Sequence, residues 1–154
     1  MKIKRIACVL LAAVFFMTTA VFAQTKSGKC GDNVLWELSD NGVLKLSGSG
    51  DMYNVVYDAA NYTSYEWIDE GYDVLSIEIG SGITGIGAYA FEGLSANGSV
   101  AIPEGITTIG MGAFRYTGIS SVTLPSSLQQ LDMGAFSECP LTDIYYNGSK
   151  EQWN

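Results

Sequence analysis

Residues 100–114 read VAIPEGITTIGMGAF, and no single period organises them. A helix would place apolar residues at i, i+3, i+4 and i+7 and would not carry both Gly110 and Gly112. A strand would alternate throughout and would keep those glycines out of its interior. The stretch becomes readable beside two others. IEIGSGITGIGAYAF at 77–91 and VTLPSSLQQLDMGAF at 122–136 share its template. Counted from Ile77, Val100 and Val122, apolar residues recur at +2, +6 and +9, and Ala-Phe recurs at +13 and +14. The copies start 23 and then 22 residues apart, and a fourth opens 22 residues later at Ile144.

Such a period marks stacked supersecondary units, each unable to bury its apolar side without a neighbour. In every copy the opening residues alternate and predict a short strand, with Ile77, Ile79, Val100, Ile102, Val122, Leu124, Ile144 and Tyr146 pointing inward. A Gly, Pro or Ser cluster then turns the chain. The next apolar pair makes a second extended segment. GAYAF, GMGAF and DMGAF supply about one helical or 3₁₀ turn, its glycines permitting the bend. Phe91, Phe114 and Phe136 are expected to stack as a ladder. The slot three residues further on holds Leu94, Thr117 and Cys139, which makes Cys139 a buried thiol. The expected fold is a β-rich repeat solenoid with short strands and short helical turns at a 22–23 residue period. The fourth copy is only half written by Asn154, with Trp153 in the +9 slot as a lid over the third.

The region before the copies is different. VLWELSDNGVLKLSG at 34–48 predicts a β-hairpin whose register follows from its apolar face. Trp36, Leu38, Leu44 and Leu46 share that face only if Leu38 pairs with Leu44, Glu37 with Lys45 and Trp36 with Leu46. Asp40, Asn41 and Gly42 are then a three-residue loop, with Gly42 in the left-handed position. A stack of repeats needs a terminal piece over its first member. The hairpin and the aromatic stretch after it, 24–74 in all, are read as that N-terminal cap, and 75–154 as the repeat array. The tyrosines and Trp67 of this stretch also admit an aromatic sugar platform.

The template I-x-I-P-x-x-I-x-x-I-G-x-x-A-F resembles the BspA-like (Treponema-type) leucine-rich repeats of bacterial secreted and surface proteins. CGDNVLWELSDNGVLKLSGSGDM at 30–52 is similar to the piece that often precedes such arrays, and DIYYNGSKEQWN to a unit found late in them. The resemblance implies adhesion, binding to host matrix proteins and protein–protein contact.

Other features bound the function. Residues 1–23 begin basic, run apolar from Ile6 to Met17 and end in small residues before Gln24, the pattern of a secretory signal peptide. Its removal takes Lys2, Lys4 and Arg5 from the eight basic residues and leaves five against 16 acidic ones, a net of −11. That charge disfavours nucleic acid and anionic membrane as partners, and no membrane insertion is expected after cleavage. The chain has no His, which removes the commonest general base and most zinc sites. Cys30 and Cys139 belong to separate parts of the stack and are expected to be free thiols. Asp69, Glu70 and Asp73 form the densest carboxylate group, readable as a glycosidase pair, a calcium loop or a solvated turn.

The reading is a secreted or cell-surface, non-catalytic protein-binding module with no cofactor and no metal. Its partner is expected to be a host extracellular or cell-surface protein. The outward residues of the opening strands, Glu78, Ala101, Thr123 and Tyr145, are expected to form the binding row across one sheet. Two alternatives stand beside it. One is a polysaccharide-acting enzyme or glycan-binding accessory using the acidic and aromatic 62–73 region. The other is a truncated structural remnant of a larger adhesin.

Overall fold

A computed structural model of the chain describes residues 25–60 and 62–153. The signal peptide read from residues 1–23 lies outside them. Strand β1 (Lys26–Lys29) runs antiparallel to β2 (Gly31–Leu38), which forms a hairpin with β3 (Val43–Met52). The hairpin register is the one the apolar face requires, with Leu38 opposite Leu44, Glu37 opposite Lys45 and Trp36 opposite Leu46. Gly42 takes φ +77° in the three-residue loop, and its N–H donates to the Ser39 carbonyl at 2.9 Å. A one-turn helix α1 (Glu66–Asp69) follows.

The copies then lie side by side. Their opening strands are β4 (Ser76–Ile79), β6 (Asn97–Ala101), β8 (Gly118–Leu124) and β10 (Asp143–Tyr146). Their second extended segments are β5 (Ile83–Ile86), β7 (Thr108–Ile109) and β9 (Gln130–Leu131). All pairing between copies is parallel, with Gly85 opposite Thr108 opposite Gln130 and Val100 opposite Val122 opposite Ile144. Strand β3 leads both segments of the first copy. Its Val43–Leu46 stretch pairs with β4, and its Gly50 and Asp51 pair with β5. The result is one seven-stranded sheet, ordered β1-β2-β3-β5-β7-β9 with β4 on β3, and one three-stranded sheet, β10-β8-β6.

Within the copies the core is mostly the line of inward side chains predicted from the template, continuous with the buried side chains of the hairpin, while Ile77, Ile79 and Tyr146 are only partly buried. Ile83, Ile86, Ala90, Phe91, Val100, Ile102, Ile106, Ile109, Ala113, Phe114, Val122 and Leu124 are all buried. Phe91, Phe114 and Phe136 stack with centroids 4.9 and 5.0 Å apart. The ladder has a further rung that the template does not contain. Trp67 lies 6.3 Å from Phe91, Tyr65 stacks on Trp67 at 4.3 Å, and Trp36 meets Trp67 edge-on at 5.4 Å.

The expected helical turn is more specific than one turn of 3₁₀. Ala90, Glu92 and Leu94 donate to carbonyls three residues back, as do Ala113, Arg115 and Thr117 in the next copy. The alternate N–H groups point along the stack instead. Left-handed residues at +12 and +16 make the alternation: Tyr89 and Gly93, Gly112 and Tyr116, Gly134 and Glu138.

The fourth copy departs from expectation. Residues Lys150–Trp153 form helix α2 in place of an extended segment. Ser149 and Gln152 are the reason, because they make a reciprocal capping box. The Gln152 N–H donates to Ser149 Oγ at 3.3 Å, and the Ser149 N–H to Gln152 Oε1 at 2.8 Å. Trp153 therefore does not close over the third copy. It packs on Tyr146 at 5.1 Å and is 55% exposed. Ile144, predicted to point into the core, is exposed as well, and so is Leu131 at the +9 slot of the third copy.

Candidate functional site

In β6 and β8 the buried residues Val100, Val122 and Leu124 fix which residues face out, and pairing with β8 carries that order to β10. Ala101 lies opposite Thr123 and Thr123 opposite Tyr145, so three of the four expected site residues form one row. A second row beside it runs Ser99, Ser121, Asp143. Ala101 and Tyr145 are exposed and Thr123 is half-buried. The surface is flat, its side chains are small, and one exposed tyrosine stands at its end.

Glu78 does not belong to this row. It lies on β4, opposite Lys45 of β3, in the other sheet. The Asn97 N–H still donates to the Leu75 carbonyl at 3.2 Å, but the next residue, Gly98, takes φ +77°. That left-handed step turns β6 out of line before a ladder with β4 can form.

The 62–73 region is divided between core and surface. Trp67 is fully buried and Tyr65 nearly so, which removes both from any sugar platform. Trp67 Nε1–H donates to the Ala90 carbonyl at 2.9 Å. Asp69 accepts the Tyr62 hydroxyl at 2.7 Å. Among the described residues, no three His, Cys, Asp or Glu side chains converge to hold a metal ion.

Of the tyrosines read as a sugar platform, Tyr57 and Tyr62 do cluster at the surface, with ring centroids 6.4 Å apart, and the sequence did not disclose that Tyr89 of the first copy joins them, 5.6 Å from Tyr57. The Tyr57 hydroxyl donates to Glu92 at 3.0 Å, and Glu92 also pairs with Arg115 at 3.3 Å. Burial, and then the Glu92 carboxylate, push the Tyr57 phenol up to about 12. One signal was present in the alignment: Tyr89 stands where the other copies have Gly112 and Gly134.

Cys30 and Cys139 are free thiols. Cys30 is fully buried, and burial pushes its thiol up to about 12. Cys139 is only half-buried, contrary to its predicted interior slot, and its thiol donates to the Phe114 carbonyl at 3.0 Å. No helix among the described residues is long and apolar enough to cross a membrane, which says nothing of β-barrels.

The family model for the BspA type leucine rich repeat region, a region of six copies, matches residues 70–154. The chain belongs to this family. Its opening strands, second segments and Phe ladder are thus those of a BspA-type leucine-rich repeat. Two solved structures are similar. A leucine-rich repeat protein from Eubacterium ventriosum is 18% identical, with 84% of this chain and 45% of that one covered and a TM-score of 0.45. A leucine rich cell surface protein from Faecalibacterium prausnitzii is 27% identical, with 81% and 41% covered and a TM-score of 0.48. The chain thus spans less than half the length of either. No curated protein matches the sequence.

Proposed function

We propose that the chain is a secreted or cell-surface protein-binding module of the adhesion type, without catalytic chemistry. Residues 1–23 are its signal peptide, 24–74 the N-terminal cap, and 75–154 a leucine-rich repeat solenoid. The observation that carries the reading is the row Ala101–Thr123–Tyr145, held in register by parallel pairing on a buried layer of Val, Ile and Leu. Extended faces of this kind are what repeat stacks use for binding, and an exposed tyrosine is a favoured anchor. Host extracellular proteins are the partner class.

The test immobilises residues 24–154 and measures capture of purified extracellular matrix proteins. Tyr145→Ala and Ala101→Arg are expected each to weaken capture at least tenfold, about 1.4 kcal/mol or more, with unchanged thermal stability. Full capture by both variants overturns the row as the site. A second reading, glycan binding, is favoured by the exposed Tyr57–Tyr62–Tyr89 cluster beside Asp69 and Glu92. Retention on a glycan array that is lost in Tyr62→Ala would select it.

A further inference from the structure

The segment between β3 and α1 is fastened to the first copy. Val55 N–H donates to the Ala88 carbonyl at 2.9 Å, and Ala88 N–H donates to Asn54 Oδ1 at 2.7 Å. Two backbone hydrogen bonds, at 2.9 and 3.0 Å, then pair Val56 with Thr63 in an antiparallel bridge. The bridge sets Tyr57 opposite Tyr62, and the fastening brings Tyr57 against Tyr89. Backbone bonds thus place the three rings, and those of Tyr57 and Tyr62 are exposed.

Two carboxylates edge this cluster. The Tyr57 hydroxyl donates to Glu92, and that of Tyr62 to Asp69. Burial and the Glu92 bond push the Tyr57 phenol up to about 12, so it stays a neutral donor. Glu92 has its counter-charge in Arg115, while Asp69 has none among the described residues. The Asp69 oxygen that does not serve Tyr62 accepts no hydrogen bond among them either. An uncompensated negative charge therefore stands beside tyrosine rings whose faces are themselves electron-rich.

We propose that this cluster is a docking site for an arginine side chain of a protein partner. The guanidinium lies against the Tyr57 and Tyr62 rings and donates to the free oxygen of Asp69. Aromatic faces and a carboxylate attract a cation together, each adding to the other. The chain already contains the arrangement once. Arg115 lies 4.4 Å over the Tyr116 ring and pairs with Glu92 at 3.3 Å. A planar guanidinium meets both demands, where an ammonium meets the carboxylate only as a point charge. Of the two ligands open to the cluster, a sugar and a cation, the hydrogen bonding favours the cation. The hydroxyls of Tyr57 and Tyr62 are already spent on carboxylates. The rings of Tyr62 and Tyr89 are tilted 48° and 59° from that of Tyr57, so the three form no flat platform. The net charge of −11 without residues 1–23 draws in a basic partner. The proposal rests on the protein-binding reading of the chain, but not on the outward row of β6, β8 and β10.

The probe is the peptide Gly-Gly-Arg-Gly-Gly, blocked at both ends and titrated into isotope-labelled residues 24–154. The same peptide with Lys or Gln in place of Arg is the control. Saturable ring-proton shifts at Tyr57 and Tyr62 are expected with arginine, and the arginine Cδ protons are expected to move upfield. The lysine peptide is expected to bind more weakly and the glutamine peptide not at all. Tyr62→Ala and Asp69→Asn, both at exposed side chains, are each expected to weaken binding about fivefold. Tyr62→Phe keeps the ring and frees Asp69, so binding is expected to hold within about twofold. Amide spectra check that each variant is folded. Tyr145→Ala is expected to leave peptide binding unchanged, so failure of the row and failure of this site are read separately. Absence of ring shifts up to about 50 mM peptide overturns the proposal. A loss in Tyr62→Phe equal to that in Tyr62→Ala also overturns it, as do equal shifts from the lysine peptide. Shifts spread over the acidic surface and unaltered by Tyr62→Ala do the same. Saturable ring shifts from neutral oligosaccharides but not from the arginine peptide overturn it in favour of a sugar.

Discussion

The two ends of the stack solve the same physical problem with different materials. At the N-terminal end, two of the three carbonyls that a preceding copy would fill, those of Ala88 and Ala90, are taken by the Val55 N–H and the Trp67 indole N–H. Trp67 also serves as the rung below Phe91, so one side chain replaces both a backbone donor and a phenylalanine. At the C-terminal end the fourth copy contributes β10 and then diverts into α2, and among the described residues three donors and Leu131 are left uncovered. Repeat stability is close to a sum of intrinsic and nearest-neighbour terms. The difference therefore predicts that the molecule is anchored at its first copy and opens from its last.

The largest effect that can break this contrast comes from its two tryptophans. Trp67→Ala removes a fully buried ring from three aromatic contacts and leaves the Ala90 carbonyl unpaired. A loss of about 3–5 kcal/mol is expected. Trp67→Phe keeps the rung and loses only the donor, so about 1–3 kcal/mol is expected. Trp153→Ala, at a half-exposed ring resting on Tyr146, is expected to cost under about 1 kcal/mol. Chemical denaturation of the three variants measures this directly. Equal losses at Trp67 and Trp153 would mean that both ends are closed.

How far the sequence could be read also differs between the ends. The copies were legible because each imposes the same apolar spacing, and the hairpin register because only one pairing keeps Trp36, Leu38, Leu44 and Leu46 together. The role of Trp67 was not legible, since one residue matching no template carries no period. It was read only as part of the cap over the first copy, or as a sugar platform, with neither the rung nor the donor assigned to it. The end of the chain was misread for the opposite reason. Counting by template put Trp153 at +9, while the local Ser149–Gln152 capping box overrode the count. Of the binding row, Ala101, Thr123 and Tyr145 followed from alternation. Glu78 did not, because alternation gives the face of a strand but not its sheet.

A smaller effect sharpens the same contrast through backbone strain. Tyr89, Tyr116 and Glu138 hold φ of 56°, 58° and 60°, where a residue with a Cβ costs roughly 1–2 kcal/mol. Glu138 is exposed at the open end, and among the described residues its side chain has no hydrogen-bond partner. Glu138→Gly is expected to stabilise by about 0.5–1 kcal/mol, the relief exceeding the added freedom of the unfolded chain. Tyr89 has the same backbone at the closed end, but its ring packs on Tyr57 and lies over Gly112. Tyr89→Gly is expected to destabilise. Paired thermal melts decide it, and stabilisation by both substitutions would show that the Tyr89 ring contributes nothing to the closed end.

The smallest effect concerns what fastens the fourth copy at all. The Glu104 carboxylate accepts from Ser126 N–H and Oγ, both at 3.0 Å, from Ser127 N–H at 3.3 Å and from Asn147 Nδ2 at 3.4 Å. It thus ties the second copy to the third and fourth. Chiefly through the Ser126 N–H, these bonds hold its carboxyl below the usual value of 4.5. A carboxyl depressed on folding adds stability that is complete above its unfolded pKa and is lost as pH falls through the folded one. The group is exposed, so the effect is modest and screened by salt. Glu104→Gln is therefore expected to lower the melting temperature slightly at pH 7, with the gap closing as pH drops below 4.5. Amide exchange in residues 143–147 is expected to quicken in the variant at pH 7, because the Asn147 tether is weakened. A gap that stays constant from pH 7 to pH 3 would place the stabilising contact elsewhere and leave the open end held by β10 pairing alone.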